Sequence, residues 1–301
     1  MSGLVLTEEP LQFGEGGRLS GVLTQPDSTS VKVRNPQVFV FLNAGLMHRV
    51  GPSRLHVRLA RELAPLGFSS LRVDLAGTGD SPRRVGLTNR QSVAADFAEI
   101  KKFLDLRLGD VPLILFGLCS GADNAVRLTV GEQRVIGLVL LDPYCSSNGH
   151  IVEKARATYF RWLKPFQHIV ALKKRLVPRA LRDVPYHELP RTVFLTIREA
   201  VENRLEPETL RDVPTQDQLR AAFLKIRERK GRILSVFTLV AFQTYYDQAG
   251  QLGRVVKVDG YDEFCTEVFW PEATHTYLLE VHRRRIIEEV KTWAVGYSGA
   301  K

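Results

Sequence analysis

Leu113-Ile114-Leu115-Phe116-Gly117-Leu118-Cys119-Ser120-Gly121-Ala122 decides how this 301-residue chain is read. An apolar run enters Gly-x-Cys-x-Gly and leaves into a helix that starts near Ser120. That order describes a buried strand turning sharply into a helix, with the central side chain raised on a strained tip at the sheet's C-terminal edge. The flanking glycines fit a turn in which any Cβ would strike neighbouring backbone. A helix N-terminus behind the tip favours negative charge and lowers the pKa of a thiol placed there. Ser120 offers an alternative nucleophile but is one residue out of phase for the tip.

Outward from this turn, apolar β-branched runs alternate with amphipathic segments, the signature of a parallel sheet with crossover helices. Strands are expected at Gln37–Leu42, Ser70–Asp74, Val111–Phe116, Val135–Leu141, Arg232–Phe237 and Arg254–Val258. Leu11–Phe13 and Leu19–Thr24 flank Gly14-Glu15-Gly16-Gly17 and read as an antiparallel hairpin at a sheet edge. Val93, Phe97, Ile100 and Leu104 step around one helix face, and Ser53–Leu66 and His275–Val295 are patterned similarly. The alternation stops between residues 146 and 230, where helical stretches are broken by Pro178, Pro185, Pro190, Pro207 and Pro214. The organisation expected is one α/β domain, 1–145 plus 231–301, carrying a helical insertion at 146–230.

Composition narrows the function classes. A 44% hydrophobic, 25% charged chain is neither disordered nor low in core-forming residues. No apolar run approaches the ~20 residues of a membrane span, and the N-terminus lacks the basic start and apolar stretch of a signal peptide. Three cysteines, Cys119, Cys145 and Cys265, do not make a disulfide framework, so a reducing cytoplasm is expected. The net charge of +9 is concentrated in 146–230, which holds 18 Lys and Arg against 10 Asp and Glu. Without zinc-ligand spacing, an RNA-binding aromatic signature or a basic heptad array, that excess does not indicate nucleic acid. The scattered histidines and cysteines offer no metal-ligand pattern, and neither a dinucleotide nor a phosphate-loop fingerprint is present; no cofactor is expected.

The strand–Gly-Leu-Cys-Ser-Gly–helix unit resembles the nucleophile elbow of the α/β-hydrolases, with cysteine where most members place serine; dienelactone hydrolases show the same exchange. The resemblance implies a mainly parallel sheet with helices on both faces and a helical cap inserted at 146–230. His48-Arg49-Val50-Gly51-Pro52, Leu59-Ala60-Arg61-Glu62-Leu63-Ala64 and the elbow itself look like the hydrolases associated with exosortase systems, within the serine-aminopeptidase-like group. Asp74-Leu75-Ala76-Gly77-Thr78-Gly79-Asp80-Ser81 also matches a loop common in this fold and is read as structural.

The resemblance assigns roles. Cys119 is the nucleophile and His275, ahead of the last helix, is the general base. The oxyanion donors are the N–H of Ser120 and, from the loop Asn43-Ala44-Gly45-Leu46, the N–H of Leu46, with Gly45 allowing close approach. His48 and Arg49 lie near the expected mouth as substrate contacts, and Trp162 lines the acyl pocket beneath the cap. The usual position for the triad acid follows Arg232–Phe237, but Thr238-Leu239-Val240-Ala241-Phe242-Gln243 carries no carboxylate. Asp142, after the preceding strand, and Asp247 are the two candidates, with Asp142 favoured.

The function expected is an acyl hydrolase or acyltransferase working on an ester or thioester through an acyl-cysteine. Between Ile151 and Val177 the basic residues Lys154, Arg156, Arg161, Lys164, Lys173, Lys174 and Arg175 face one acid, Glu153. That surface would receive coenzyme A or an acidic acyl carrier protein, against a plain solvated face or an interfacial membrane helix. The alternative from another class is a non-catalytic hydrolase-fold protein that binds a ligand or partner, for which the missing acid after Phe237 argues.

Overall fold

Strands buried on both faces alternate their side chains between two separate cores, and that alternation organises this molecule. The computed structural model describes residues 6–29, 31, 34–145, 212–246 and 248–298. Elements are numbered over those residues. The first half runs β1 (Leu6–Phe13), β2 (Leu19–Pro26), β3 (Val38–Phe41), α1 (Leu55–Leu63), β4 (Ser69–Asp74), α2 (Asn89–Leu108), β5 (Leu113–Leu118), α3 (Ser120–Gly131) and β6 (Val135–Leu141). The second runs α4 (Gln216–Glu228), β7 (Arg232–Thr238), α5 (Leu239–Thr244), α6 (Gln251–Val256), α7 (Tyr261–Phe264), β8 (Cys265–Trp270) and α8 (Glu280–Ser298).

The eight strands form one sheet in the order β1-β2-β4-β3-β5-β6-β7-β8. β1 and β2 pair antiparallel from Leu6↔Pro26 to Phe13↔Leu19, β2 is antiparallel to β4, and every other pairing is parallel. In β3, Val38 and Val40 face one core while Phe39 and Phe41 face the other; in β5, Leu113 and Leu115 oppose Ile114, Phe116 and Leu118 in the same way. Val93, Phe97, Ile100 and Leu104 of α2 cover one face beside α3, α4 and α6, whereas Leu55, Leu59 and Leu63 of α1 and Ile286, Val290 and Trp293 of α8 cover the other. This is the mainly parallel sheet with helices on both faces that the α/β-hydrolase resemblance implies.

Two findings differ from the sequence reading. Arg254–Val258 is not a strand: Gln251–Val256 is helical and turns Leu252 and Val256 into the core. The short Val255-Val256-x-Val258 run carries an apolar content that fits either element, and burial from one side settles it as helix. The last strand is instead Cys265–Trp270, an edge strand with Thr266 exposed, whose polar residues hide the strand pattern. In addition, α4 lies inside the stretch read as cap yet buries Leu219, Ala222, Phe223 and Ile226 in the core against α3. Residues 146–211, with Trp162 and the basic run to Arg175, lie outside the described residues, as does Asp247. Among the described residues no helix is long and apolar enough to cross a membrane.

Candidate active site

Consecutive strand ends bring the site together. The register pairs Leu118 with Leu141 and Leu141 with Val236, so β5, β6 and β7 finish side by side. Two backbone hydrogen bonds carry that register one residue further: Cys119 N–H to Leu141 O and Asp142 N–H to Val236 O, each 2.8 Å. Cys119, Asp142 and Thr238 are therefore neighbours at one edge, and the loop after β8 brings His275 back over them.

Cys119 takes φ 55° and ψ −120°, a strained backbone for a residue with a side chain. Its glycine neighbours explain how the turn is tolerated. A Cβ on Gly117 would lie 2.2 Å from the Gly121 carbonyl carbon, and one on Gly121 would lie 2.7 Å from Asn43 O. Both positions are filled by backbone that cannot retreat. The N-termini of α2 and α4 are closed by capping boxes, Thr88 with Gln91 and Thr215 with Gln218, but no side chain caps α3.

His275 is half-buried and its Nδ1 lies 2.6 Å from Asp142 Oδ2. A carboxylate only accepts, so Nδ1 carries the proton in that bond and the other ring nitrogen is left for the Cys119 thiol, which is also hydrogen-bonded to this ring. Burial alone would depress the imidazole's pKa. The bonds to Asp142 and to Cys119 overcome that and push it up to about 9. Asp142 is fully buried with φ 47°. Its Oδ1 accepts the Thr238 N–H and its Oδ2 accepts the Thr238 hydroxyl, both at 2.6 Å, while Tyr245 donates its hydroxyl to the Asp142 carbonyl at 2.9 Å. The histidine loop is tied to the same edge by Leu239 N–H to Ala273 O at 3.0 Å.

The loop after β3 faces the elbow. Ala44–Met47 is a turn closed by Met47 N–H to Ala44 O at 3.0 Å, with the Leu46 side chain 89% exposed. Ser120 Oγ accepts the Gly45 N–H at 2.7 Å, clamping this turn to the start of α3. No atom lies within 4 Å of a Cβ on Gly45, so its glycine answers to φ 55° rather than to crowding. Asn43 braces the turn from below, donating to Met47 O at 3.0 Å and accepting Leu75 N–H at 2.7 Å.

The two residues expected at the mouth differ in their surroundings. His48 is exposed. Arg49 turns inward: its guanidinium pairs with buried Asp74 and, at 2.7 Å, with Asp80. These pairs hold the β3 loop against the end of β4 and the glycine-rich loop that follows it. Among the described residues no cluster of three or more metal-binding side chains occurs. Thr238 and Asn43 were not singled out by the sequence. Their roles depend on which strands are neighbours, and only Thr238's place after the β7 run gave any signal.

Comparison with known proteins gives the family and the fold of the chain. The family model described as serine aminopeptidase, S33 matches residues 35–214, more than half the chain. No curated protein matches. An esterase of Pyrococcus furiosus is similar in structure at 13% identity, over 98% of this chain and 92% of that one, with a TM-score of 0.59. Est1E of Butyrivibrio proteoclasticus, solved with ferulic acid bound, is 16% identical over 94% and 96% of the two chains, with a TM-score of 0.54. The siderophore hydrolase EstB of Aspergillus fumigatus is 14% identical over 96% and 98%, at 0.53. At such identities the likeness is one of fold, the α/β-hydrolase fold.

Proposed function

We propose that this chain, which belongs to the serine aminopeptidase S33 family, is an acyl hydrolase or acyltransferase that forms an acyl-cysteine on Cys119. The observation that carries the reading is the unbroken line from the strained Cys119 thiol through His275 to buried Asp142. An imidazole titrating near 9 is protonated at neutral pH, the state that stabilises a neighbouring thiolate.

In this reading the Cys119 proton rests on His275 and the thiolate attacks the carbonyl carbon of an ester or thioester. The oxyanion is held by the N–H groups of Ser120 and Leu46, the Gly45 N–H being engaged with Ser120 Oγ. Collapse breaks the carbonyl bond to the alkoxide or thiolate, which leaves with the proton from His275. Water, an amine or an alcohol then attacks the thioester acyl-enzyme while neutral His275 accepts its proton, and expulsion of the Cys119 sulfur completes the cycle. Cysteine departs from the serine in the family's name. Ser120 sits one residue past the elbow tip and its Oγ accepts the Gly45 N–H of the β3 turn, which favours Cys119 as the nucleophile.

A thioester acyl-enzyme is open to capture by amines and thiols, which keeps transfer beside hydrolysis and favours thioester donors. Coenzyme A and an acyl carrier protein suit the basic stretch 151–177; turnover of such donors should fall with salt while that of small esters does not. The alternative of a non-catalytic binding protein draws on the missing acid after Phe237; the 2.6 Å contact between Asp142 Oδ2 and His275 Nδ1 supports catalysis instead. Turnover of a panel of p-nitrophenyl esters and acyl thioesters tests the proposal. Wild-type activity should vanish in Cys119→Ala and His275→Ala; activity kept by Cys119→Ala overturns it.

A further inference from the structure

At the end of β7, the position where the resemblance places the triad acid, this chain has Thr238, and it is completely buried. Both of its donors go to one carboxylate: the N–H to Asp142 Oδ1 and the hydroxyl to Asp142 Oδ2, each at 2.6 Å. A carboxylate cannot donate, so the hydroxyl proton must point at Oδ2. Oδ2 is also the atom 2.6 Å from His275 Nδ1.

We infer that Thr238 is a positioning residue, which locks the Asp142 carboxylate so that Oδ2 faces the His275 ring. The inference rests on the Cys119–His275–Asp142 reading and adds a fourth residue to it. Held at both oxygens by one residue of the neighbouring strand, the carboxylate cannot rotate about its Cβ–Cγ bond. The Asp142 main chain is fixed separately, by its N–H on Val236 O and its carbonyl under the Tyr245 hydroxyl. The lock thus acts on the side chain alone. Taking the acid from β6 in place of β7 leaves the end of β7 vacant as a carboxylate site, and Thr238 fills it with a donor of complementary sense. Two charge-assisted hydrogen bonds of this length are strong ones for a buried acceptor.

The test reads His275 directly and does not depend on turnover. The titratable groups around the pair are Cys119 against His275 and the hydroxyls of Tyr245 and Tyr277 near Asp142, and none of them is changed. In ¹⁵N-histidine-labelled protein, with the His275 signal assigned by its loss in His275→Asn, the wild-type ring should titrate near 9. Thr238→Val, which keeps the shape and the backbone donor, should lower that midpoint by about one pH unit, a tenfold change in proton affinity. Thr238→Ala, which adds no methyl at the hydroxyl position, should give the same fall, and Thr238→Ser should restore the wild-type value. An unchanged midpoint in Val and Ala overturns the role of Thr238 while leaving the Asp142–His275 pair intact. A wild-type ring that titrates at the ordinary 6.5 means the pair itself is not formed, and overturns the reading beneath it.

Discussion

The elbow at Cys119 and the acid position at Asp142 meet in one site but are specified in opposite ways. The elbow is local. Gly117, Cys119 and Gly121 lie within five residues; a Cβ on Gly117 would strike Gly121 and Ala122 of the turn itself, and only Gly121, against Leu42 and Asn43 at the end of β3, is held from outside. The acid is non-local. Asp142 reaches His275 133 residues away and Thr238 96 residues away, and it does so because β6 lies beside β7 in the sheet. In the proposed site the acid comes from the end of β6 and the donors that hold it from the end of β7.

The largest expected effect removes the local half. Cys119→Ala should lower kcat/KM by about 10⁴-fold or more in steady-state assays, the scale at which loss of a nucleophile is felt. Asp142→Asn tests the non-local half and should cost about 10²–10³-fold, less than in serine enzymes because a thiol depends less on the acid. It should also bring the His275 midpoint from about 9 back toward 6.5. Equal losses in the two variants would erase the contrast drawn between them.

Stability separates the two regions further. Gly117→Ala forces a Cβ to within 2.4 Å of three backbone atoms of Gly121 and Ala122. It should destabilise the fold by about 1–3 kcal/mol in denaturant unfolding, with activity lost in whatever protein remains folded. The smallest effect is pH-dependent. The His275 pKa is raised in the folded state, so its contribution to stability is complete below about 6.5 and is lost as pH rises through about 9. The Tm advantage of wild type over His275→Asn should therefore be greatest below pH 6.5 and should shrink by pH 9. A gap that widens over this window would contradict the Asp142–His275 pairing.

The same division explains what the sequence discloses. The alternation of Val38, Phe39, Val40 and Phe41, and the run Leu113–Phe116, state the buried parallel strands outright, and each falls where its pattern points. The helix face of Val93, Phe97, Ile100 and Leu104 is equally direct. Cys265–Trp270 escapes because an edge strand needs only part of its surface buried, so Thr266 and Glu267 interrupt its pattern. Glu267 is satisfied by the hydroxyls of Tyr246 and Tyr261 and by the N–H of Leu252, partners that only the folded edge supplies. Arg49 reads as a cation near the mouth, and its partners Asp74, at the end of β4, and Asp80, in the loop that follows, are brought beside it only by the fold. Thr238 is the clearest case, for an absent carboxylate says where the acid is not, while the residue present there gains meaning only beside Asp142.

The most direct test of the covalent account is the mass of the intact protein after brief incubation with acyl thioesters and p-nitrophenyl esters, followed by peptide mapping. The account predicts a gain equal to the acyl group, located on Cys119, absent in Cys119→Ala and long-lived in His275→Ala wherever acylation still occurs. An acyl group mapped to Ser120, or turnover that proceeds in Cys119→Ala, would contradict it.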